Sequence, residues 1–265
     1  MKKRLFPGLI IAAITSVMIF ASCGKENENI EPNQKKTANV SFYLTDDPAD
    51  YDAVYIDIQQ VEITMEGQAA VALQPVRPGI YNLLDFRNGL DTLLLRADLP
   101  AGKISQIRLI LGSNNSVVID GQSHPLNTPS AQESGLKLNL KQEFAAGGSY
   151  VVWIDFDAGK SIVKTGSGKY NLKPVIRAYS QQTDGRIKGY VLPSAALVTV
   201  YASNGVDTYA AIPADDGYFM FVGLPEGTYS VTFDASAALY LDVSLNNVVV
   251  TYGKTTDLET TVLVQ

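Results

Sequence analysis

Few residues in this sequence could carry chemistry. The 265 residues include one cysteine, Cys23, and one histidine, His124. A zinc site needs several such ligands. A Ser-His-Asp site needs its imidazole held by a buried acid beside an exposed nucleophile. "GQSHPLNTPS" around His124 contains no nucleophile elbow, so His124 reads as a loop residue. "DFDAGKS", Asp155 to Ser161, ends like a phosphate loop. However, Ile154 stands where that loop needs glycine, and the following "IVKTG" reads as strand, so the match is rejected. The densest polar cluster is "TDDPADYD", where Asp46, Asp47, Asp50 and Asp52 place four carboxylates within seven residues. Calcium takes oxygen ligands, which makes the cluster a weak calcium candidate. It lacks the Asp-x-Asp-x-Asp-Gly spacing and a distal Glu, and aspartates also cap turns, so the turn reading is preferred. Sugar hydrolysis by paired carboxylates would need two acids facing each other across a cleft. With 27 acidic residues, spacing alone picks no such pair. The expectation is a chain that is not an enzyme, takes no cofactor and has no committed metal site.

Cys23 carries a different kind of chemistry. Lys2, Lys3 and Arg4 are followed by an apolar run to Phe20 and by the small residues Ala21 and Ser22, the layout of a secretory signal peptide over 1–22. Phe20-Ala21-Ser22-Cys23 resembles the lipobox of bacterial lipoproteins, although the first position is usually Leu. That resemblance implies lipid attachment at Cys23, and several acyl chains at about 0.8 kcal/mol per buried CH₂ make a firm anchor. "GKENENIEPNQKKT", Gly24 to Thr37, has a single apolar side chain, Ile30, so 23–37 reads as lipidated cysteine and flexible tether. Glu26 and Glu28 resemble the acidic export signal of surface lipoproteins in Bacteroides-type bacteria. The expected location is the outer membrane, on the cell surface or the periplasmic face.

Removing three of the 21 basic residues with the leader leaves 18 against 27 acidic, a net charge of about −9. Nucleic-acid binding relies on Lys and Arg neutralising phosphates, so no nucleic-acid partner is expected. No internal disulfide is available, and stability must come from packed cores.

The elements that would position any site are strands. Val40-Phe42-Leu44, Val54-Ile56-Ile58, Ile107-Leu109-Leu111, Val117-Ile119, Val151-Trp153, Val198-Val200 and Phe219-Phe221 all alternate with period two. Asp120-Gly121 signals a two-residue hairpin. "LDTLLLRA" has helical spacing at Leu90, Leu93, Leu94 and Ala97, with a strand equally compatible. A turn motif recurs: "LPAGKISQI" matches "LPEGTYSVT", with weaker copies "PGIY", "GGSY" and "SGKY" ending at Tyr81, Tyr150 and Tyr170. Glycine there supplies the turn, and the following aromatic is expected to face inward. "SQQTDGR", Ser180 to Arg186, separates two strand-rich blocks, giving domains at 38–180 and 185–265.

The second block, in "GRIKGYV", "DDGYFMFVGLPEGTYSVTF" and "NNVVVTYGKTTDLETTVLV", resembles the carboxypeptidase regulatory-like or transthyretin-like domain. The resemblance implies a seven-stranded, prealbumin-like sandwich with Phe219, Phe221, Tyr229, Val231 and Phe233 in its core, and a hairpin at Asp215-Asp216-Gly217. The first block is similar to the lipoprotein family called domain of unknown function 4382 through "FYLTDDPADYDAVYIDIQQVEI", "LPAGKISQIRLIL", "VVIDG", "IDFDAGKSIV" and "GKYNLKPVIR". That similarity implies a further β-sandwich on secreted or lipid-anchored proteins, some described as adhesins, and brings no functional residue with it. The expected fold class is all-β, two tandem β-sandwich domains. The expected role is binding or adhesion to glycan or protein, with structural assembly of a surface filament or outer-membrane complex as the alternative. Tyr190, Tyr201 and Tyr218 fall out of phase with the core and are the weak candidates for ligand binding.

Overall fold

In the computed structural model, residues 37–128, 134–140 and 142–265 are described. The leader, Cys23 and nearly all of the tether lie outside them. The first block contributes fourteen strands: β1 (Thr37–Asp47), β2 (Ala53–Met65), β3 (Val71–Leu73), β4 (Gly79–Asn82), β5 (Thr92–Pro100), β6 (Gly102–Leu111), β7 (Ser116–Ile119), β8 (Gln122–Asn127), β9 (Leu136–Leu138), β10 (Glu143–Phe144), β11 (Ser149–Asp157), β12 (Ile162–Lys164), β13 (Tyr170–Leu172) and β14 (Ile176–Ser180). They form a four-stranded sheet, β14-β11-β1-β5, and a larger one running β10-β6-β2-β7-β8-β13-β12, with β3 and β4 paired to β2 and β9 to β6. The second block adds β15 (Gly185–Leu192), β16 (Val198–Ser203), β17 (Thr208–Ala211), β18 (Tyr218–Leu224), β19 (Gly227–Ala235), β20 (Val243–Val250) and β21 (Thr255–Val262). These seven strands divide into sheets β18-β15-β21 and β17-β16-β19-β20. The fold is all-β, with two sandwiches in tandem.

Each sandwich closes over its own core. Val40, Phe42 and Leu44 from β1 meet Val54, Ile56 and Ile58 from β2, all fully buried. Phe219, Phe221, Tyr229, Val231 and Phe233 form the second core, as its family resemblance implies. On β11 the buried face is Val152, Ile154 and Phe156, so Trp153 with Val151 points the other way, out of the first core. "LDTLLLRA" resolves as strand: β5 buries Leu94 and Leu95 and pairs with β1, and sheet pairing overrides the helical spacing. His124 sits in β8 opposite Val117 rather than in a loop, with its ring 5.0 Å from that of Tyr170. Asp120 and Gly121 both have positive φ, as a tight hairpin turn requires, and they join β7 to β8. The Asp215-Asp216-Gly217 turn is not a hairpin, because β17 and β18 belong to different sheets and the turn carries the chain between them.

The recurring glycine-tyrosine turn has a physical basis. The hydroxyl of Tyr81 donates to the carbonyl of Arg77 at 2.5 Å, and that of Tyr229 donates to the carbonyl of Pro225 at 2.9 Å. In each case a buried ring fills the core while its hydroxyl ties down the turn four residues upstream. Tyr170 is buried too, and Tyr150 is half-buried against Phe144.

Candidate functional site: a charged joint and an open tyrosine face

Strand register builds the first site. β1 and β11 run parallel, and β14 pairs antiparallel with β11. The side chains that alternate away from the first core therefore line up in rows across three strands. One row is Tyr43, Trp153 and Tyr179, with ring centroids 6.2 and 5.4 Å apart. The next is Thr45, Asp155 and Arg177, and the last pairs Asp47 with Asp157. On an open sheet these residues would face water.

Here the second sandwich covers Trp153, Tyr179 and Arg177, while Thr45 is held by the carbonyls of Phe86 and Leu90. Arg177 donates through Nη1 to the carbonyl of Gly223 and through Nη2 to that of Val222, both at 3.0 Å. Its guanidinium lies 4.6 Å from the ring of Tyr209. Lys160 reaches the carbonyl of Thr208 at 3.3 Å, and Asn88 donates to the carbonyl of Ile212 at 3.1 Å. Gly223, with φ of 63°, lies so close to the Tyr179 ring that any Cβ would collide with it. The "SQQTDGR" segment between the blocks is pinned rather than loose. Ser180 donates to Gln142 at 2.7 Å, Asp184 accepts from the N–H of Gly223 at 2.8 Å, and Arg186 pairs with Asp184 while lying 5.6 Å from the Trp153 ring.

Enclosed in this joint is an ion-pair cluster. Arg177 pairs with Asp155 at 2.5 Å and reaches Asp47 at 3.6 Å, and Lys160 pairs with Asp157 at 2.7 Å. Asp157 also caps the short helical turn Ala158–Ser161, accepting from the N–H of Lys160 at 2.8 Å. Asp46 accepts from the N–H of Ala158 at 3.0 Å. One oxygen of Asp46 and one of Asp155 are buried with no hydrogen-bond partner. Burial is the main force pushing the carboxyls of Asp46, Asp47 and Asp155 upward. Asp47, beside the charge of Asp155 and only partly compensated by Arg177, is pushed to about 8. A cleft of about 420 Å³ opens beside the cluster, walled by Asp47, Asp155, Asp157 and Arg177 on one side and by Asp207 and Tyr209 on the other. Acid-catalysed hydrolysis would require such a cleft. Three of its carboxylates, those of Asp47, Asp155 and Asp157, are however bound to Arg177, Lys160 or a backbone N–H group.

The structure separates the four aspartates of "TDDPADYD". Asp47 enters the joint, Asp46 is buried on the opposite face of β1 beneath Ala158, Asp50 is exposed, and Asp52 accepts from the N–H of Gly121 at 2.8 Å, bracing the β7–β8 hairpin. Among the described residues, no group of three or more His, Cys, Asp or Glu side chains is arranged to hold a metal ion.

The tyrosine candidates divide as well. Tyr190 and Tyr218 are cross-strand partners on the outer face of β18-β15-β21, with ring centroids 5.4 Å apart. Lys188, paired with Asp257 at 3.0 Å, lies before them on this face, and Leu192 opposite Val262 lies beyond them. Tyr190, Leu192 and Val262 are 43, 41 and 62% exposed, so this face stays open. Tyr201 stands on β16, in the other sheet, and does not join them.

Sequence reasoning did not single out Trp153, Arg177 or Tyr179. The available signal was alternation: in "VVWIDFD" and "IRAYS" an aromatic and a charge recur two apart, in phase with each other.

Two sandwiches fused through a buried charged joint, with a solvent-facing aromatic sheet on the second, define a tandem β-sandwich module. The family model described as "Domain of unknown function (DUF4382)" matches residues 37–174, and the chain belongs to that family. No curated protein matches the chain. Among solved structures, a type II cohesin–X-dockerin complex from Acetivibrio cellulolyticus is 24% identical over 29% of this chain and 56% of that one, with a TM-score of 0.25. The TIE protein of Bacillus anthracis is 10% identical over 87% of this chain and 34% of that one, with a TM-score of 0.24. The minor pilin GBS52 of Streptococcus agalactiae is 10% identical over 85% of this chain and 95% of that one, with a TM-score of 0.23. The chain thus spans just over half of the first of these and about a third of the second.

Proposed function

We propose that this protein is a non-catalytic, lipid-anchored outer-membrane or cell-surface module that binds a glycan or protein through its second sandwich, a carboxypeptidase regulatory-like domain. The observation carrying this reading is the open face with Tyr190, Tyr218, Leu192 and Val262, a set of exposed aromatic and aliphatic side chains on a rigid sheet. Tyrosine combines a large apolar contact area with a polar tip at low entropic cost, which suits it to recognition. The direction of β1 supports the same reading. The described chain enters at Thr37, and eleven residues of strand, about 33 Å, lead to Asp47 at the joint. The joint and the second sandwich thus lie towards the end of β1 opposite Thr37. The engagement of Asp47, Asp155 and Asp157 in ion pairs and a cap favours binding over hydrolysis.

Assembly is the second reading. Leu192, Val262, Val264 and Leu241 are 41 to 62% exposed near one end of the second sandwich, an apolar surface suited to a subunit contact. The test is antibody labelling of the second sandwich on intact and on permeabilised cells, followed by a glycan and protein binding screen with wild type and Tyr190→Ala/Tyr218→Ala. Labelling of intact cells, with a ligand lost in the double variant, is the expected result. Labelling only after permeabilisation removes the adhesion reading. A ligand indifferent to both tyrosines removes this face.

A further inference from the structure

We propose that a proton held between Asp47 and Asp155 latches the second sandwich onto the first, so that the joint is tightest in acid and loosens as pH rises. The argument begins with charge. Three carboxylates in adjacent register rows face two cations, Arg177 and Lys160, which leaves one negative charge in excess among carboxyls that are themselves mostly buried. Removing such a charge from water is costly unless it is paired, and burial without pairing favours the neutral form. The side chain of Asp155 is 1% exposed and keeps one oxygen with no partner. Asp46, behind it, has another, which adds to the negative field. From the second sandwich, Tyr209 and Asp207 face the cluster, and neither brings positive charge. Asp184 and Arg186 flank it but pair with each other. A single proton balances Asp47, Asp155 and Asp157 against Arg177 and Lys160, and Asp46 and Asp207 add to the negative field that holds it there.

Arg177 converts that balance into a latch. It binds the acids of the first sandwich and, through the same guanidinium, two carbonyls of the second. When Asp47 loses its proton, the cluster carries unbalanced charge at the contact surface. Opening the joint, which lets water reach Asp47, then becomes favourable. The sign follows from linkage. A carboxyl with its closed-state value raised to about 8 favours closure fully below the ordinary carboxylate range and progressively loses that contribution as pH rises through 8. Tyr179 and Tyr209, the other titratable groups here, are both pushed above the usual tyrosine value, chiefly by burial, and stay neutral through that interval.

Trp153, the only tryptophan in the chain, reports on the joint directly, since it stacks on Tyr179 and lies under Arg186. The experiment follows Trp153 emission and the radius of gyration of the full chain in detergent from about pH 4 to about pH 9.5, with strand content checked by circular dichroism. The expected result for wild type is a red-shifted emission and an expanded particle appearing together as pH rises, with the closed-to-open ratio falling up to about tenfold per pH unit from the ordinary carboxylate range to about pH 8 and levelling off above it. Asp47→Asn, or Asp47→Ser should the amide fail to fold, is expected to remain closed throughout. Asp215→Asn, remote from the cluster, should keep the wild-type midpoint. A wild type with no transition overturns the proposal, and that outcome needs no variant. So does an unchanged midpoint in both Asp47 variants, or loss of the transition in Asp215→Asn. Re-closure at pH 9 by millimolar calcium, but not by sodium at equal ionic strength, also overturns it and makes the cluster a cation site.

Discussion

The outer face of β14-β11-β1-β5 and the outer face of β18-β15-β21 are built alike, each with an aromatic row beside a charged row, yet they have opposite fates. On the first, Tyr43-Trp153-Tyr179 and Asp155-Arg177 are covered, and Asp155 is almost fully buried. On the second, Tyr190-Tyr218 and Lys188-Asp257 remain at the surface. An aromatic and charged sheet face is therefore not in itself a ligand site. It becomes a joint where a glycine-lined surface allows another sheet to approach closely, and it stays a candidate for recognition where nothing does. Ion pairing differs accordingly. The buried pair is costly to break because its partner is stranded, whereas the exposed pair is screened by water.

That difference sets the largest expected effect. Arg177→Met removes a cation that contacts both Asp155 and Asp47 while keeping much of the side-chain volume. It leaves Asp155 buried without a partner, and breaking a pair of this kind costs about 3–5 kcal/mol. Chemical denaturation should show a lower midpoint. If the joint is as integral as its geometry indicates, the single transition should split into two, one for each core. A variant that unfolds in one transition with unchanged stability would mean that the covered face contributes no more than the open one.

Gly223→Ala tests the close approach rather than the charge. The residue sits at φ of 63°, and the added methyl would strike the Tyr179 ring. Left-handed strain together with overpacking predicts a loss on the order of 3 kcal/mol. Trp153, stacked on that ring, should shift its emission as the ring moves. Gly205→Ala, at a positive-φ turn with open space around the glycine, carries the strain without the clash and should cost less. Equal losses would show that the contact with Tyr179 adds nothing.

The two faces also differ in how far they were legible in the sequence. Period-two runs located most strands and both cores, because a half-buried strand writes its inward face into the sequence directly. The Asp-Gly hairpin and the inward aromatics of the second core were legible for the same local reason. The joint was not. Its rows depend on β1 lying parallel to β11, which pairs residues more than a hundred positions apart, so Asp47 and Asp157 meet only once the sheet exists. The same long-range pairing reversed the meaning of Trp153, which alternates like a core residue but belongs to the opposite face. Tyr190 and Tyr218 were legible because being out of phase with the core is a local property. Their proximity is a matter of β15–β18 register.

The smallest effect on stability belongs to the open face, and there the comparison is sharpest. Tyr190→Ala removes an exposed ring whose main contact is the Tyr218 ring, so the fold should lose less than about 1 kcal/mol. Lys188→Ala breaks a fully exposed pair with Asp257 and should leave the melting temperature unchanged. Tyr190 reaches the first sandwich only indirectly, through Tyr218 and Met220, so Trp153 emission should shift far less than with Gly223→Ala. Binding of a surface ligand should nevertheless fall with Tyr190→Ala, because at an interface an aromatic anchor contributes through the area it desolvates on contact. Stability and binding would then separate between the two faces: residues whose loss unfolds the molecule on the covered one, and residues whose loss is silent until a partner is added on the open one. If Tyr190→Ala instead destabilised the chain as much as Arg177→Met, the open face would be structural as well.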